Sequence, residues 1–108
     1  MSEVSVDEAH RRVTGGWAVL VDVRETDEFD AGHAAGAVSK PLSALVPEGL
    51  PMGVDVFMIC RSGARSAKAV QKAHQGGVTA YNVTGGTAAW FQAGLPMSAT
   101  GPGSPKVI

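Results

Sequence analysis

The chain has 108 residues, 44% of them hydrophobic and 18% charged, with a formal net charge of −1 and one cysteine. That length makes one domain able to bury a core unaided, and the composition excludes an intrinsically disordered chain. The near-neutral balance argues against a broad nucleic-acid footprint, and a lone cysteine excludes an internal disulfide or a cysteine-rich zinc site.

The N-terminus, Met1-Ser2-Glu3-Val4-Ser5, lacks the basic-then-apolar pattern of a secretory leader, and no apolar stretch nears the roughly 20 residues of a membrane span. The expectation is a cytoplasmic domain with neither nucleic acid nor membrane as partner. Ser5-Val6-Asp7-Glu8 reads as a capping box, with Val6, Ala9 and Val13 on one helical face and Gly15-Gly16 as the stop. Ala18 to Val21 is a short continuous apolar run, the pattern of a strand covered on both faces. Asp22-Val23-Arg24 ends it, and the acidic turn Thr26-Asp27-Glu28-Phe29 opens a short helix.

Glycines and prolines make Gly32 to Pro51 irregular, with a short strand at Ala37-Val38 and one helical turn at Leu42 to Leu45. Val56 to Ile59 is a second buried strand, followed by a helix over Ala64 to Gln75 that turns Ala69, Val70 and Ala73 inward and ends at Gly76-Gly77. Ala80 to Val83 is a third strand, and Gly85-Gly86 leads into a helix over Thr87 to Gln92, closed by Gly94 and Pro96. The domain is expected over residues 1–97, with 98–108, rich in Gly, Pro and Ser, as a flexible C-terminal tail. Strands alternating with helices give an α/β fold with a mostly parallel central sheet. Ligands of such sheets bind beyond the carboxyl ends of the strands, so Asp22 to Arg24, Cys60 to Arg65 and Gly85-Gly86 are expected to meet at one edge.

Cys60 opens the segment Cys60-Arg61-Ser62-Gly63-Ala64-Arg65-Ser66, between a strand and a helix. The commoner fate of an isolated cysteine is an inert buried thiol. Here free amides at the helix start, a glycine that lets the loop curl, and the fixed charges of Arg61 and Arg65 all favour a thiolate facing an anion. Arg65, in the first helical turn, is expected to face the site; the Arg61 side chain could equally face solvent while its amide serves the loop. Asp22 and Arg24 are read as structural support, holding the loop and a neighbouring carboxylate such as Glu28. His10, His33 and His74 are too scattered for a metal site, and Gly85-Gly86, without a following Lys-Ser/Thr, is a turn and not a phosphate loop.

These motifs together, Asp22-Val23-Arg24, Glu28-Phe29 with Gly32-His33, Cys60 to Ser66, and Gly85-Gly86 through Trp90 to Gly94-Leu95-Pro96, resemble the single-domain rhodaneses, or thiosulfate sulfurtransferases. The resemblance runs from Ser5 to Met97. It implies a rhodanese-like domain in which Cys60 is the catalytic nucleophile, taking a sulfane sulfur from thiosulfate or a persulfide donor and passing it to a thiophilic acceptor such as cyanide or a thiol. It further implies that the amides of Arg61, Ser62, Gly63, Ala64, Arg65 and Ser66 bind the transferred sulfur, that Arg61 and Arg65 attract the anionic donor, and that no metal or organic cofactor takes part. A protein donor or acceptor is the other partner class it allows.

Phosphatases and arsenate reductases of related fold place five residues between the cysteine and the arginine. Four lie between Cys60 and Arg65, a cradle sized for one sulfur atom. The alternatives are a sulfur-carrier or persulfide-sensing module and, disfavoured by that spacing, a Cys-dependent phosphatase or arsenate reductase. The chain departs from the family at Ala34-Ala35, where relatives carry Ile-Pro, and at His74, where an apolar residue is usual.

Overall fold

The computed structural model describes residues 2–108. Strand β1 (Glu3–Val4) precedes helix α1 (Val6–Thr14), β2 (Ala18–Asp22), α2 (Thr26–Ala31), β3 (His33–Ala34) and β4 (Val38–Ser39). After two 3-10 turns, Leu42–Ala44 and Pro47–Gly49, come β5 (Asp55–Ile59), α3 (Ala64–Gln75), β6 (Ala80–Val83), α4 (Gly86–Gln92) and β7 (Met97–Ser98).

Five strands form one sheet in the order β1-β6-β5-β2-β4, every neighbouring pair parallel. The α/β reading with a mostly parallel central sheet therefore holds. Because side chains alternate along a strand, each central strand feeds two cores. Leu20, Phe57, Ile59 and Val83 pack with Ala9 and Trp90 on one face. Val21, Val56, Met58 and Cys60 pack with Ala69, Val70 and Ala73 of α3 on the other. The continuous apolar runs seen in the sequence are what a strand buried on both faces requires.

The Ser5 hydroxyl accepts from the Glu8 amide (3.1 Å), but the Glu8 carboxylate turns to Arg11, so the capping box is half formed. β1 and the two-stranded ribbon β3–β7 were not read from the sequence, being two residues long each. His33 is the first residue of β3; its ring stacks on Phe29 at 3.7 Å and its Nδ1 donates to the Phe29 carbonyl (2.7 Å). The unusual His74 has a local use, since its Nε2 donates to the Ala80 carbonyl (2.9 Å) and ties α3 to β6.

Ser98 pairs with His33 in β7, one residue past the expected domain boundary. Beyond it the chain carries no regular element, but the Thr100 and Lys106 amides donate to the Asp30 and Ala31 carbonyls at the end of α2 (3.1 and 3.0 Å). Among the described residues no helix is long and apolar enough to cross a membrane.

Candidate active site

The parallel register brings the three candidate segments to one edge. Asp22 pairs with Ile59 across β2 and β5, and Met58 pairs with Asn82 across β5 and β6, so the chain leaves all three strands side by side. Cys60 follows β5 directly, with a residue exposure of 1%. Its sulfur is thus recessed in the loop that follows the strand.

Two helix starts shape that loop. The Cys60 carbonyl accepts from the Thr87 amide (2.8 Å) and the Thr87 hydroxyl (3.1 Å), and the Arg61 carbonyl accepts from the Ala88 amide (3.0 Å), all at the first turn of α4. These bonds satisfy donors that a helix start leaves free. They also fix the outward direction of the loop carbonyls. Close approach requires glycine here: a Cβ on Gly86, whose φ is +61°, would overlap the Cys60 carbonyl oxygen and lie 2.6 Å from that of Arg61.

On the inner side the loop presents donors to the sulfur. Cys60 Sγ receives the Gly63 amide at 3.1 Å, the Ser66 amide at 3.3 Å and lies 3.3 Å from the Ser66 hydroxyl. Gly63 reaches this arrangement with φ +117°, a conformation that side chains disfavour. Burial raises the thiol pKa, yet the Ser66 hydroxyl, the Ser66 amide and the amides of Gly63 and Ser62 outweigh it and hold Cys60 below its ordinary 9.0. The direct bonds come from Gly63 and Ser66; the amides of Arg61, Ala64 and Arg65 make none to the sulfur. The Ser62 and Ala64 side chains are exposed, as is Arg61, which joins none of the ion pairs found among the described residues.

Arg65 lies in the first turn of α3, where its guanidinium is bidentate on the Glu28 carboxylate (2.7 and 2.9 Å). The Glu25 amide also donates to Glu28 (3.2 Å), fixing that carboxylate at the start of α2. Arg65 lowers the Glu28 pKa from 4.5 to about 2 against partial burial, with the Glu25 amide and the charge of Arg24 assisting. Glu28 in turn raises the Arg65 pKa above the ordinary arginine value, against burial.

Asp22 and Arg24 are both fully buried and pair with each other, Nη2 to Oδ2 at 2.8 Å, while Arg24 Nη2 also donates to the Gly32 carbonyl (2.7 Å). The Arg24 amide adds a bond to Asp22 Oδ1 (3.0 Å). The expected link from Arg24 to Glu28 is absent. Arg24 lies two residues from Asp22 and folds back on it, and Glu28 faces α3 instead. This pair fixes the turn after α2, not the cysteine loop itself.

Two residues were missed at sequence level. Asn82 bonds both Ser66 and Gly63, with its Nδ2 donating to the Gly63 carbonyl (3.1 Å), and Thr87 holds the Cys60 carbonyl. The available signals were a polar residue in an otherwise apolar strand and a hydroxyl directly after a Gly-Gly pair. Among the described residues no group of three His, Cys, Asp or Glu side chains comes together as a metal site.

The model of the rhodanese-like domain matches residues 5–93. The chain belongs to the rhodanese-like domain family. Among curated proteins, this rhodanese-like chain is 44% identical to an uncharacterized Synechocystis protein over 72% of its length, spanning 45% of that relative. It is 34% identical to a chloroplastic thiosulfate sulfurtransferase of Arabidopsis thaliana, covering 91% of this chain and 93% of the relative. Among solved structures, a rhodanese-related protein of Thermoplasma volcanium superposes with a TM-score of 0.83 at 27% identity, over 91% of this chain and 98% of that one. These findings agree in placing the chain among rhodanese-like domains and match its α/β architecture.

Proposed function

We propose that this rhodanese-like chain is a sulfurtransferase that moves a sulfane sulfur through a persulfide on Cys60. One observation carries the reading: Sγ sits at the focus of the Gly63 and Ser66 amides and the Ser66 hydroxyl, 3.1 to 3.3 Å away. Such a ring of donors favours the thiolate, the form that attacks. With thiosulfate as donor, the Cys60 thiolate attacks the outer sulfur, the donor's S–S bond breaks, and sulfite leaves with the bonding pair. The negative charge then rests on the outer sulfur of the persulfide, within reach of the same amides. A cyanide or thiolate acceptor attacks that sulfur, and Cys60 returns as the thiolate. No general base is needed once the thiolate exists, which agrees with the hydrogen bonds to Sγ found among the described residues, all from Gly63 and Ser66.

A second reading, a carrier loaded by a protein or small-molecule persulfide, is favoured by the Glu28–Arg65 pair. It neutralises one of the two arginines that would attract a dianionic donor and leaves Arg61 as the free cation of the loop. The four residues between Cys60 and Arg65 argue against a phosphate-sized cradle.

Intact mass after incubation with thiosulfate tests the first reading. A gain of one sulfur that cyanide removes, and that Cys60→Ser never acquires, supports it. No gain from thiosulfate but a gain from a persulfide donor supports the carrier. Hydrolysis of an aryl phosphate that depends on Cys60 would overturn both.

A further inference from the structure

Asn82 stands half-buried on β6, next to Met58 of β5, and its side-chain bonds all go to the cysteine loop. Nδ2 donates to the Gly63 carbonyl at 3.1 Å, and Oδ1 lies 2.5 Å from the Ser66 hydroxyl oxygen. A carbonyl only accepts, so the NH2 end of the amide must face Gly63 and the oxygen must face Ser66.

The Ser66 hydroxyl has one proton and three acceptors in reach: Asn82 Oδ1 at 2.5 Å, the Gly63 carbonyl at 3.2 Å and Cys60 Sγ at 3.3 Å. The shortest contact is to Asn82. With Cys60 as a thiol, the Ser66 proton therefore points to Asn82, and a lone pair of the same oxygen faces the S–H. A thiolate reverses the demand, because the sulfur now needs the proton and Asn82 Oδ1 must give up its donor.

We propose that Asn82 is a positioning residue of this site, acting through Ser66: it holds the hydroxyl in the orientation that accepts from the thiol and thereby sets how readily Cys60 becomes nucleophilic. The inference rests on Cys60 being the nucleophile, but not on the identity of the sulfur donor. The bond to Gly63 is a separate clamp. Ala67 also donates to that carbonyl (3.1 Å), so the loop keeps one tie when Asn82 is removed.

The test is the pH dependence of Cys60 alkylation by iodoacetamide in the full chain, for wild type, Asn82→Ala, Ser66→Ala and the double variant. The charged groups around the loop are Arg61 and Arg65, Glu28 from α2 and the Asp22–Arg24 pair at the end of β2. All are common to the four proteins. Asn82→Ala is expected to lower the midpoint by about one pH unit, the scale of one hydrogen bond to a charged group. In the Ser66→Ala background the same substitution should leave the midpoint where Ser66→Ala put it. An unchanged midpoint in Asn82→Ala, or an equal shift without Ser66, overturns the proposal.

If Asn82→Ala does not fold, Asn82→Asp decides, since it keeps the shape and the acceptor. Its midpoint should rise more with Ser66 present than in the Ser66→Ala background, and equal rises would count against the role. Alkylation needs no sulfur donor. A chain that alkylates as described yet gains no sulfur would refute the transfer reading while upholding this one.

Discussion

Glu28 and Arg65 meet across α2 and α3 in a two-point contact, with each guanidinium nitrogen on its own carboxylate oxygen at 2.7 and 2.9 Å. The pair links the wall of the site, from α2, to the helix whose first turn cradles Cys60. It also consumes the charge that sequence reasoning assigned to the donor. On the proposed sulfur-transfer reading, an anionic donor must compete with Glu28 for Arg65 or rely on Arg61.

Replacing Glu28 with Gln should therefore raise kcat/KM for thiosulfate, by up to about fivefold, the scale of one partly exposed ion pair. Steady-state kinetics with cyanide as acceptor checks this. A fall in kcat/KM would show instead that Glu28 aims Arg65 at the donor.

The same pair should register in acid. Glu28 has its folded pKa lowered to about 2, so the stability it contributes is fully present above the ordinary carboxylate value of 4.5 and is lost as pH falls toward 2. The melting-temperature gap between wild type and Glu28→Gln should be constant near neutrality and shrink between those two values. A gap that does not depend on pH would mean that the carboxylate charge adds nothing.

Ser66 heads the groups that pull the Cys60 pKa down against burial. Ser66→Ala should shift the midpoint of thiol alkylation upward by about one unit, with the rate below the midpoint falling in proportion. Stopped-flow measurements between neutral pH and pH 10 would read it directly. Because Cys60 is recessed, bulky maleimides should react more slowly than iodoacetamide once thiolate content is matched.

Gly86 has no room for a methyl group between it and the carbonyls of Cys60 and Arg61. Gly86→Ala should cost at least about 2 kcal/mol, from backbone overlap and a left-handed φ together, and should abolish sulfur loading. Thr87→Val, which keeps the volume and loses one bond to the Cys60 carbonyl, should cost about 1 kcal/mol and reduce loading only in part. Urea unfolding alongside mass analysis separates the two effects.

The buried Asp22–Arg24 pair makes an asymmetric prediction. Arg24→Met leaves a fully buried carboxylate without its partner and should destabilise the chain by about 3–5 kcal/mol, whereas Arg24→Met combined with Asp22→Leu should cost less than the single change. Chemical denaturation of both variants is the measurement. A double variant weaker than Arg24→Met would mean that Asp22 has further buried dependants.

Much of this architecture was legible in the chain. The three apolar runs ending at Asp22, Ile59 and Val83 are covered on both faces, and the glycine pairs stop α1 and α3 where the sequence says they should. The parallel sheet then brings Asp22, Cys60 and Gly86 together without further information. What stayed hidden depends on which side chains face each other across elements. Glu28 is four residues from Arg24 and 37 from Arg65, yet the helix it sits on points it at the latter. Asn82 looked like one polar residue in a strand, and only the register against β5 puts its amide over Gly63 and Ser66. The strands β1, β3 and β7 are too short for periodicity to reveal.

The dependence of Cys60 on Thr87 and Ala88 carries a kinetic consequence. The loop cannot reach its reactive shape until α4, more than twenty residues later in the chain, has docked behind it, and in a sheet with only parallel neighbours every such closure joins distant segments. The thiol's reactivity is thus expected to arise late in folding and to be lost early in unfolding. In rising urea, fast labelling at Cys60 by small electrophiles should give way to the slow chemistry of an ordinary thiol when β6 and α4 detach, making this one sulfur a built-in reporter of whether the whole domain is assembled.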